Sequence, residues 1–173
     1  DLGLVYRSVG ATSIGLAEIV YYHNRVDDLI RFVHNSQQVS RPHNIGAALL
    51  RGVETRVQAR FLSQLRLRGN YVYQRAENRS LFSFEKGNDL PNAPRHRLGA
   101  RLEWERGRRL VHYEFSRESR HFLDRANLRT VPVRTLHNIG GRLALAAEVA
   151  LAVEVRNASD NQVADLWGYP LPS

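Results

Sequence analysis

The sequence predicts an all-β fold, an antiparallel transmembrane β-barrel represented by about eight consecutive strands. Three observations predict it. Apolar and polar residues alternate with a period of two along most of the chain. The connections between alternating segments come in two lengths, and short and long strictly take turns. Arginine, which supplies nearly all of the positive charge, keeps to one of the two registers in the clearest segments.

At the start, Leu2, Leu4 and Tyr6 lead through Gly10-Ala11-Thr12 into Ile14, Leu16, Val20 and Tyr22, a first hairpin whose second strand carries Glu18 on its apolar side. The polar segment Asn24 to Pro42 is the first long connection. Between Gly52 and Phe61, the odd positions hold Val53, Thr55, Val57, Ala59 and Phe61, and the even ones Glu54, Arg56, Gln58 and Arg60. The next segment sets Leu65, Leu67, Gly69, Tyr71 and Tyr73 against Arg66, Arg68, Asn70, Val72 and Gln74. Only Leu62, Ser63 and Gln64 lie between, which suits a tight antiparallel hairpin and excludes a parallel crossover.

Arg75 to Pro94 is the second long connection. Leu98, Ala100, Leu102 and Trp104 then alternate with Gly99, Arg101, Glu103 and Glu105, and Val111, Tyr113 and Phe115 with His112, Glu114 and Ser116, across the short turn Arg106-Gly107-Arg108. Arg117 to Pro132 is the third long connection. The stretch Leu143 to Val155 is rich in helix formers, yet Leu143, Leu145, Val149, Leu151, Val153 and Val155 are all odd-numbered, a spacing that collects on one side of a strand and scatters around a helix. Arg134 to Arg156 is too long for one strand, which places a turn near Ala146 to Glu148.

Short turns at one end and long loops at the other are the arrangement of an outer-membrane barrel, whose apolar face meets lipid while a polar face lines a wet interior. Glu54, Arg56, Arg60, Arg66 and Arg68 are expected to face that lumen. Tyr22, Tyr71, Tyr73, Trp104, Tyr113 and Phe115 lie toward strand ends, where an aromatic girdle at the lipid interface belongs. The alternative is that these aromatics form the core of a soluble sandwich.

Composition narrows the classes further. The chain has 173 residues and no stretch of the roughly 18 apolar residues that a membrane-spanning helix needs. Without cysteine there is no disulfide framework, thiolate metal site or cysteine nucleophile. Methionine is absent and the opening Asp-Leu-Gly-Leu-Val-Tyr lacks signal-peptide regions, so the chain reads as a segment of something longer. The net charge of +8 raises nucleic acid as a partner, but the arginines recur along the whole length instead of forming one patch. The densest cluster, Arg106, Arg108 and Arg109, sits in a short turn where it would meet anionic headgroups.

Little in the sequence points to catalysis. The histidines, among them His34, His43, His96, His112, His121 and His137, lie on different segments and form no two-His helix motif, so no metal site is expected. Ser119, His121 and Asp124 have the residue types of a hydrolase triad, but such triads are defined by geometry across a fold. Asp27 and Asp28 read as a solvated strand end. There is no glycine-rich phosphate loop, and no cofactor is expected.

Several phrases make the chain resemble the C-terminal part of the barrel of TonB-dependent outer-membrane receptors. They are Asn24-Arg25-Val26-Asp27-Asp28-Leu29-Ile30, Asn44-Ile45-Gly46 with Arg51-Gly52-Val53-Glu54, and Leu90-Pro91-Asn92-Ala93-Pro94-Arg95-His96-Arg97-Leu98. Further on come Ser119-Arg120-His121-Phe122-Leu123-Asp124, Asn157-Ala158-Ser159-Asp160 and Gly168-Tyr169-Pro170-Leu171-Pro172. The family usually shows Asn-Leu-Phe-Asp where this chain has Asn157-Ala158-Ser159-Asp160. The resemblance implies a barrel of about 22 strands, of which these are the fourteenth to the twenty-first, with residues 1–173 forming a C-terminal segment. The plug domain, the TonB box and the closing strand lie outside it.

By the same resemblance, the whole protein would sit in the outer membrane of a Gram-negative bacterium. It would take up a scarce nutrient (a ferric siderophore, haem or cobalamin), energised through TonB and without covalent chemistry. Its partners would be TonB, the plug, membrane lipid and a small-molecule chelate. Arg31, His34, Arg79, Phe82, Phe84 and Arg120 are the loop candidates for ligand contact, and the row Arg56, Arg60, Arg66 and Arg68 would offer a positive wall to an anionic chelate. The rival is a self-contained eight-strand barrel acting in adhesion or membrane integrity, whose first and last strands would have to pair. A soluble basic β-domain binding RNA is the third possibility.

Overall fold

The computed structural model describes residues 1–10, 13–28, 30–34, 40–44, 46–61, 63–80 and 85–162. Its main feature is one antiparallel sheet of eight strands: β1 (Leu2–Val9), β2 (Ser13–Asp27), β5 (Ala47–Phe61), β6 (Leu65–Asn78), β7 (His96–Arg106), β8 (Arg109–Glu118), β11 (Arg134–Ala144) and β12 (Ala150–Val155), neighbours in that order. Strands that follow one another in the sheet also follow one another along the chain, so this is a plain meander. Each strand contacts only its hydrogen-bonded neighbours, and among the described residues no second strand layer packs across the sheet; only a loop cluster around Leu90 covers one face at its far end.

Of the first short connection, Gly10-Ala11-Thr12, Ala11 and Thr12 lie outside the described residues, and β1 and β2 pair on either side of it. At the second, Ser63 takes up a left-handed conformation (φ 56°) and the Gln64 N–H donates to the Phe61 carbonyl over 3.2 Å. At the third, Gly107 has φ 59°, a conformation that costs glycine nothing, and Arg106 pairs with Arg109. The turn expected near Ala146 to Glu148 is present, closed by the Leu145 N–H donating to the Val149 carbonyl over 2.8 Å.

At the opposite end the structure corrects the expected strand limits. β2 continues to Asp27 and β6 to Asn78, beyond the positions where Asn24 and Arg75 were read as loop. The first long connection contains a hairpin of β3 (Ile30–His34) and β4 (Ser40–Asn44), and the third one of β9 (His121–Phe122) and β10 (Thr130–Val131). A strand crosses the membrane in about 9 to 11 residues. β2 and β5 pair over 15 residues, more than such a crossing needs. In the surplus length hydrophobic alternation is not required, while backbone pairing still is.

The register also corrects the face of β2. Ala17, Ile19 and Tyr21 lie opposite Val57, Thr55 and Val53, whereas Glu18, Val20 and Tyr22 lie opposite Arg56, Glu54 and Gly52. Tyr22 is therefore on the charged face and is no member of the aromatic set, and the expected apolar register of β2 is shifted by one residue. Glu18, out of place in the expected register, is in its proper place here.

Candidate functional site

With the register known, the two faces can be built residue by residue. Pairing puts Arg60 opposite Arg66, Gln58 opposite Arg68 and Arg56 opposite Asn70, so Glu54, Arg56, Arg60, Arg66 and Arg68 do share one face. β7 and β8 add Arg101, Glu103, Glu105 and Glu114 to it. The arginines are not a bare positive wall. Arg56 lies 3.6 Å from Glu18, Arg66 2.8 Å from Glu105 and Arg68 4.0 Å from Glu103. Arg101 bridges Glu103, at 2.6 Å, and Glu114, which also accepts from the Asn138 amide at 3.4 Å. Arg60 donates to the Ser63 carbonyl at 3.1 Å, turning toward the short-turn end.

Sequence reading placed Glu103, Glu105 and Glu114 on the polar register but did not pair them, because apart from Arg101 with Glu103 on β7 each arginine meets a carboxylate on another strand. Only a register for β2 against β5 would have revealed that Glu18 meets Arg56. Glycine makes room on this face. A Cβ on Gly52 would lie 2.6 Å from the Tyr22 hydroxyl and would also strike the Tyr73 carbonyl, so the absence of a side chain there leaves room for the end of the Tyr22 ring. The result is a wet wall, largely balanced in charge, with a depression of about 380 Å³ bordered by Arg56, Arg68, Asn70, Arg101, Glu114 and Asn138. Such a surface can hydrogen-bond to a polar body or to hydrated solute.

Tyr71, Tyr73, Trp104, Tyr113 and Phe115 share the other face with Leu67, Leu98, Leu102 and Val111. Two Tyr–His pairs stand on it: the Tyr71 hydroxyl is 2.8 Å from His96 Nδ1, and that of Tyr113 is 2.7 Å from His137 Nδ1. Tyr73 and Phe115 contribute ring contacts to the same two histidines. Leu98, Leu102, Trp104 and Tyr113 stay between 37% and 41% exposed and adjoin one another in register, the kind of apolar surface that marks contact with lipid or a partner.

The polarity of both faces inverts at the long-loop end. On the face that carries the arginines lower down, Ala48 and Leu50 of β5 meet Ala76 of β6 and Leu90, the one apolar core cluster among the described residues. On the opposite face, two residues beyond Val53 and Tyr73, stand Arg51 and Arg75, with Glu77 and Arg79 beyond them. Glu77 is almost fully buried and receives Arg79 at 2.6 Å, Arg51 at 3.9 Å and, closest of all, Arg75.

The second and third long connections dock onto each other above this point. The backbone of residues 88–90 continues the sheet beside β6, with the Asn78 N–H donating to the Asn88 carbonyl and that of Leu90 to the Ala76 carbonyl, both over 2.8 Å. Asn127, left-handed at φ 57°, uses its side-chain amide as a strand would: it accepts from the Asp89 N–H and donates to the Asp89 carbonyl, both over 2.9 Å. Asn88 donates to the Arg125 carbonyl at 2.8 Å, and Arg125 pairs at 3.1 Å with the buried Glu85. Asp124 caps the β9–β10 hairpin, taking the N–H groups of Ala126 (2.9 Å), Leu128 (3.2 Å) and Arg129 (2.5 Å). Partial burial pushes its carboxyl pKa up, but those three N–H donors and the Arg129 charge outweigh burial and hold it below the usual aspartate range.

Of the six loop candidates, four fall among the described residues. Arg79 is engaged with Glu77, and Arg120 is exposed between β8 and β9. Arg31 and His34 lie on β3, on a hairpin separate from the main sheet, and Phe82 and Phe84 lie outside the described residues.

No curated protein sequence matches the chain. Solved structures do. The siderophore receptor PiuA from Acinetobacter baumannii is similar over 93% of this chain and 24% of its own, with a TM-score of 0.73 at 16% identity. The ferric yersiniabactin uptake receptor FyuA from Yersinia pestis is similar over 94% of this chain and 25% of its own, with a TM-score of 0.73 at 21% identity. The ferric citrate transporter FecA gives a TM-score of 0.67 at 16% identity, over 93% of this chain and 26% of its own. The chain thus spans about a quarter of the length of the receptors it matches. The family described as TonB dependent receptor-like, beta-barrel, matches residues 1–158, and with that match over nearly the whole of its meander the chain belongs to this family.

Proposed function

We propose that the complete protein is an outer-membrane receptor for active uptake of a metal chelate of the ferric siderophore type, and that residues 1–173 are a C-terminal part of its barrel wall. TonB-dependent receptors are transporters and receptors of the Gram-negative outer membrane, not enzymes. They work with TonB and enclose a plug domain. The observation that carries the reading is the family match over residues 1–158 of a meander whose connections alternate short and long. The metal-bound nature of the cargo is taken from the relatives, named for a siderophore, ferric yersiniabactin and ferric citrate, and in one case for copper.

In this reading the charged face lines the lumen against the plug, and the face of Tyr71, Tyr73, Trp104, Tyr113 and Phe115 meets lipid. The long connections reach outside the cell. Arg31, His34, Phe82, Phe84 and Arg120 are the loop residues from which chelate contact is drawn, while Arg79 serves the Glu77 cluster. The open edges support a piece of a larger barrel over a self-contained one: β1 and β12 do not pair with each other, and every residue of both strands is exposed.

The test is uptake by cells that depend on the complete receptor for iron. Radiolabelled ferric siderophore should enter only in the presence of TonB and an energised inner membrane. Uptake that persists unchanged without TonB would overturn the reading. Protease added to intact cells should cut within the connections between β2 and β5, β6 and β7, and β8 and β11, and spare Gly107. Cleavage at Gly107 from outside would invert the topology.

A further inference from the structure

The short turn between β7 and β8 carries Arg106, Arg108 and Arg109 around Gly107, and all three arginines are exposed. Arg106 stands directly opposite Arg109, and like charges facing each other across an antiparallel pair destabilise it. On the charged face Arg56, Arg66, Arg68 and Arg101 each have a carboxylate partner. This turn has none: among the described residues, Arg106, Arg108 and Arg109 make no ion pair, and Glu105, their acidic neighbour on β7, projects from the other face and holds Arg66. Arg106 and Arg109 continue the aromatic face. Arg106 lies two residues beyond Trp104, and Arg109 two residues before Val111, which is itself opposite Trp104.

Strand length sets the depth of this pair. β7 has 11 residues, and its outward row runs from His96 at the long-loop end to Arg106 at the short-turn end. A membrane strand needs about 9 to 11 residues to cross, so Arg106 sits where β7 leaves the hydrocarbon on the far side, with Trp104 just within it. The surroundings are apolar as well. The Arg108 carbonyl accepts from the Ala144 N–H over 2.9 Å, and its guanidinium donates to the Leu145 carbonyl over 3.4 Å. Leu145 and Val149, which close that next hairpin, are 53% and 55% exposed. A cationic turn bordered by exposed aliphatic side chains suits an anionic diacyl lipid, its phosphate on the planar guanidiniums and its chains on leucine and valine. An acidic protein surface would neutralise the arginines and leave Leu145 and Val149 without apolar cover.

We propose that the turn of Arg106, Arg108 and Arg109 binds the phosphate of an anionic phospholipid in the inner leaflet of the outer membrane, and so ties the short-turn end of the wall to that leaflet. The proposal rests on the reading that the aromatic face meets lipid and the short turns lie on the inner side.

The experiment uses the complete receptor in phosphatidylcholine nanodiscs, with a fluorescent bimane at Leu65→Cys, directly opposite Trp104 on the outward face. The probes are brominated phosphatidylglycerol and brominated phosphatidylcholine of identical acyl chains, added in steps. With the turn intact, phosphatidylglycerol should quench the label at a mole fraction about tenfold lower than phosphatidylcholine does. R106Q/R109Q should be quenched equally by both lipids, and R142Q, at the same end but on the opposite face, should keep the preference. Equal quenching by the two lipids with the turn intact would overturn the proposal, and this comparison stands even where R106Q/R109Q fails to assemble. A preference that survives in R106Q/R109Q would also overturn it. So would soluble polyglutamate that relieves the quenching at low concentration, an outcome that assigns the turn to an acidic protein surface. Protease on intact cells tests the orientation separately. Gly107 spared, with no lipid preference, removes the lipid site alone, whereas cleavage at Gly107 from outside removes the orientation on which it rests.

Discussion

Strand β6 passes through two regions that are held together differently. None of its first eleven residues is buried and its last three, Ala76, Glu77 and Asn78, all are. In the lower region the sheet relies on its backbone ladder, on cross-strand ion pairs on one face, and on whatever medium covers the other. In the upper region short stretches of chain fold back, enclose Ala48, Ala76 and Leu90, and satisfy one another's polar groups much as a small water-soluble domain does. Membrane strands cannot make a core of their own without closing the lumen, whereas loops in water can hold a fixed shape only by making one. Buried carboxylates occur in both regions, Glu77 and Glu85 at the loop end and Glu103 on the charged face below, each held by arginine.

The largest effect is expected where the lower region depends on its surroundings. Leu67→Arg in the complete receptor places a charge on the aromatic face, which in the proposed reading meets lipid, at a cost of about 2 to 4 kcal/mol, and should abolish membrane assembly, read as loss of heat-modifiable electrophoretic mobility. Arg68→Leu, one residue away on the charged face, should assemble nearly normally. Equal tolerance of both changes would erase the distinction between the faces.

Next in size is Glu85→Ala in the upper region. It strips the partner from Arg125 and from the Asn78 amide, costing about 2 to 3 kcal/mol locally. Residues 85–95 and 121–131 should become protease-sensitive while heat-modifiable mobility is unchanged. A variant that loses both together would show that the two regions fold as one unit.

A smaller effect concerns pH. The Asp124 carboxyl has a lowered pKa in the folded loop, so its stabilisation is complete above the ordinary aspartate range and is lost as pH falls through the lower folded value. Hydrogen exchange at the Ala126, Leu128 and Arg129 amides should speed up only under acid conditions below that range, and Asp124→Asn should remove the pH dependence. The least effect is expected for Asp27→Asn. Its pairing with Arg25 is exposed on both sides, and denaturation should shift by no more than about 0.5 kcal/mol.

Much of the sheet was legible in the sequence because alternation is a local property. Val53 to Phe61 and Leu65 to Tyr73 each show their faces without reference to any other strand, and a two- or three-residue gap admits only an antiparallel return. The family was legible for the same reason, since its phrases sit at strand ends. Tyr22 shows where locality fails. β2 carries apolar residues in both registers, Leu16 and Val20 in one and Ala17, Ile19 and Tyr21 in the other, so only pairing with β5 decides which face each occupies.

The sequence by itself determined the strands, their short turns and their order. The tertiary structure decided the partners of the charged groups, the docking of one loop on another through Asn127, and the inversion of polarity above Tyr73. All of these join residues distant in sequence, through distances that periodicity does not encode. Outside the bilayer, moreover, side chains no longer need to alternate, so the local signal lapses just where the chain begins to pack against itself.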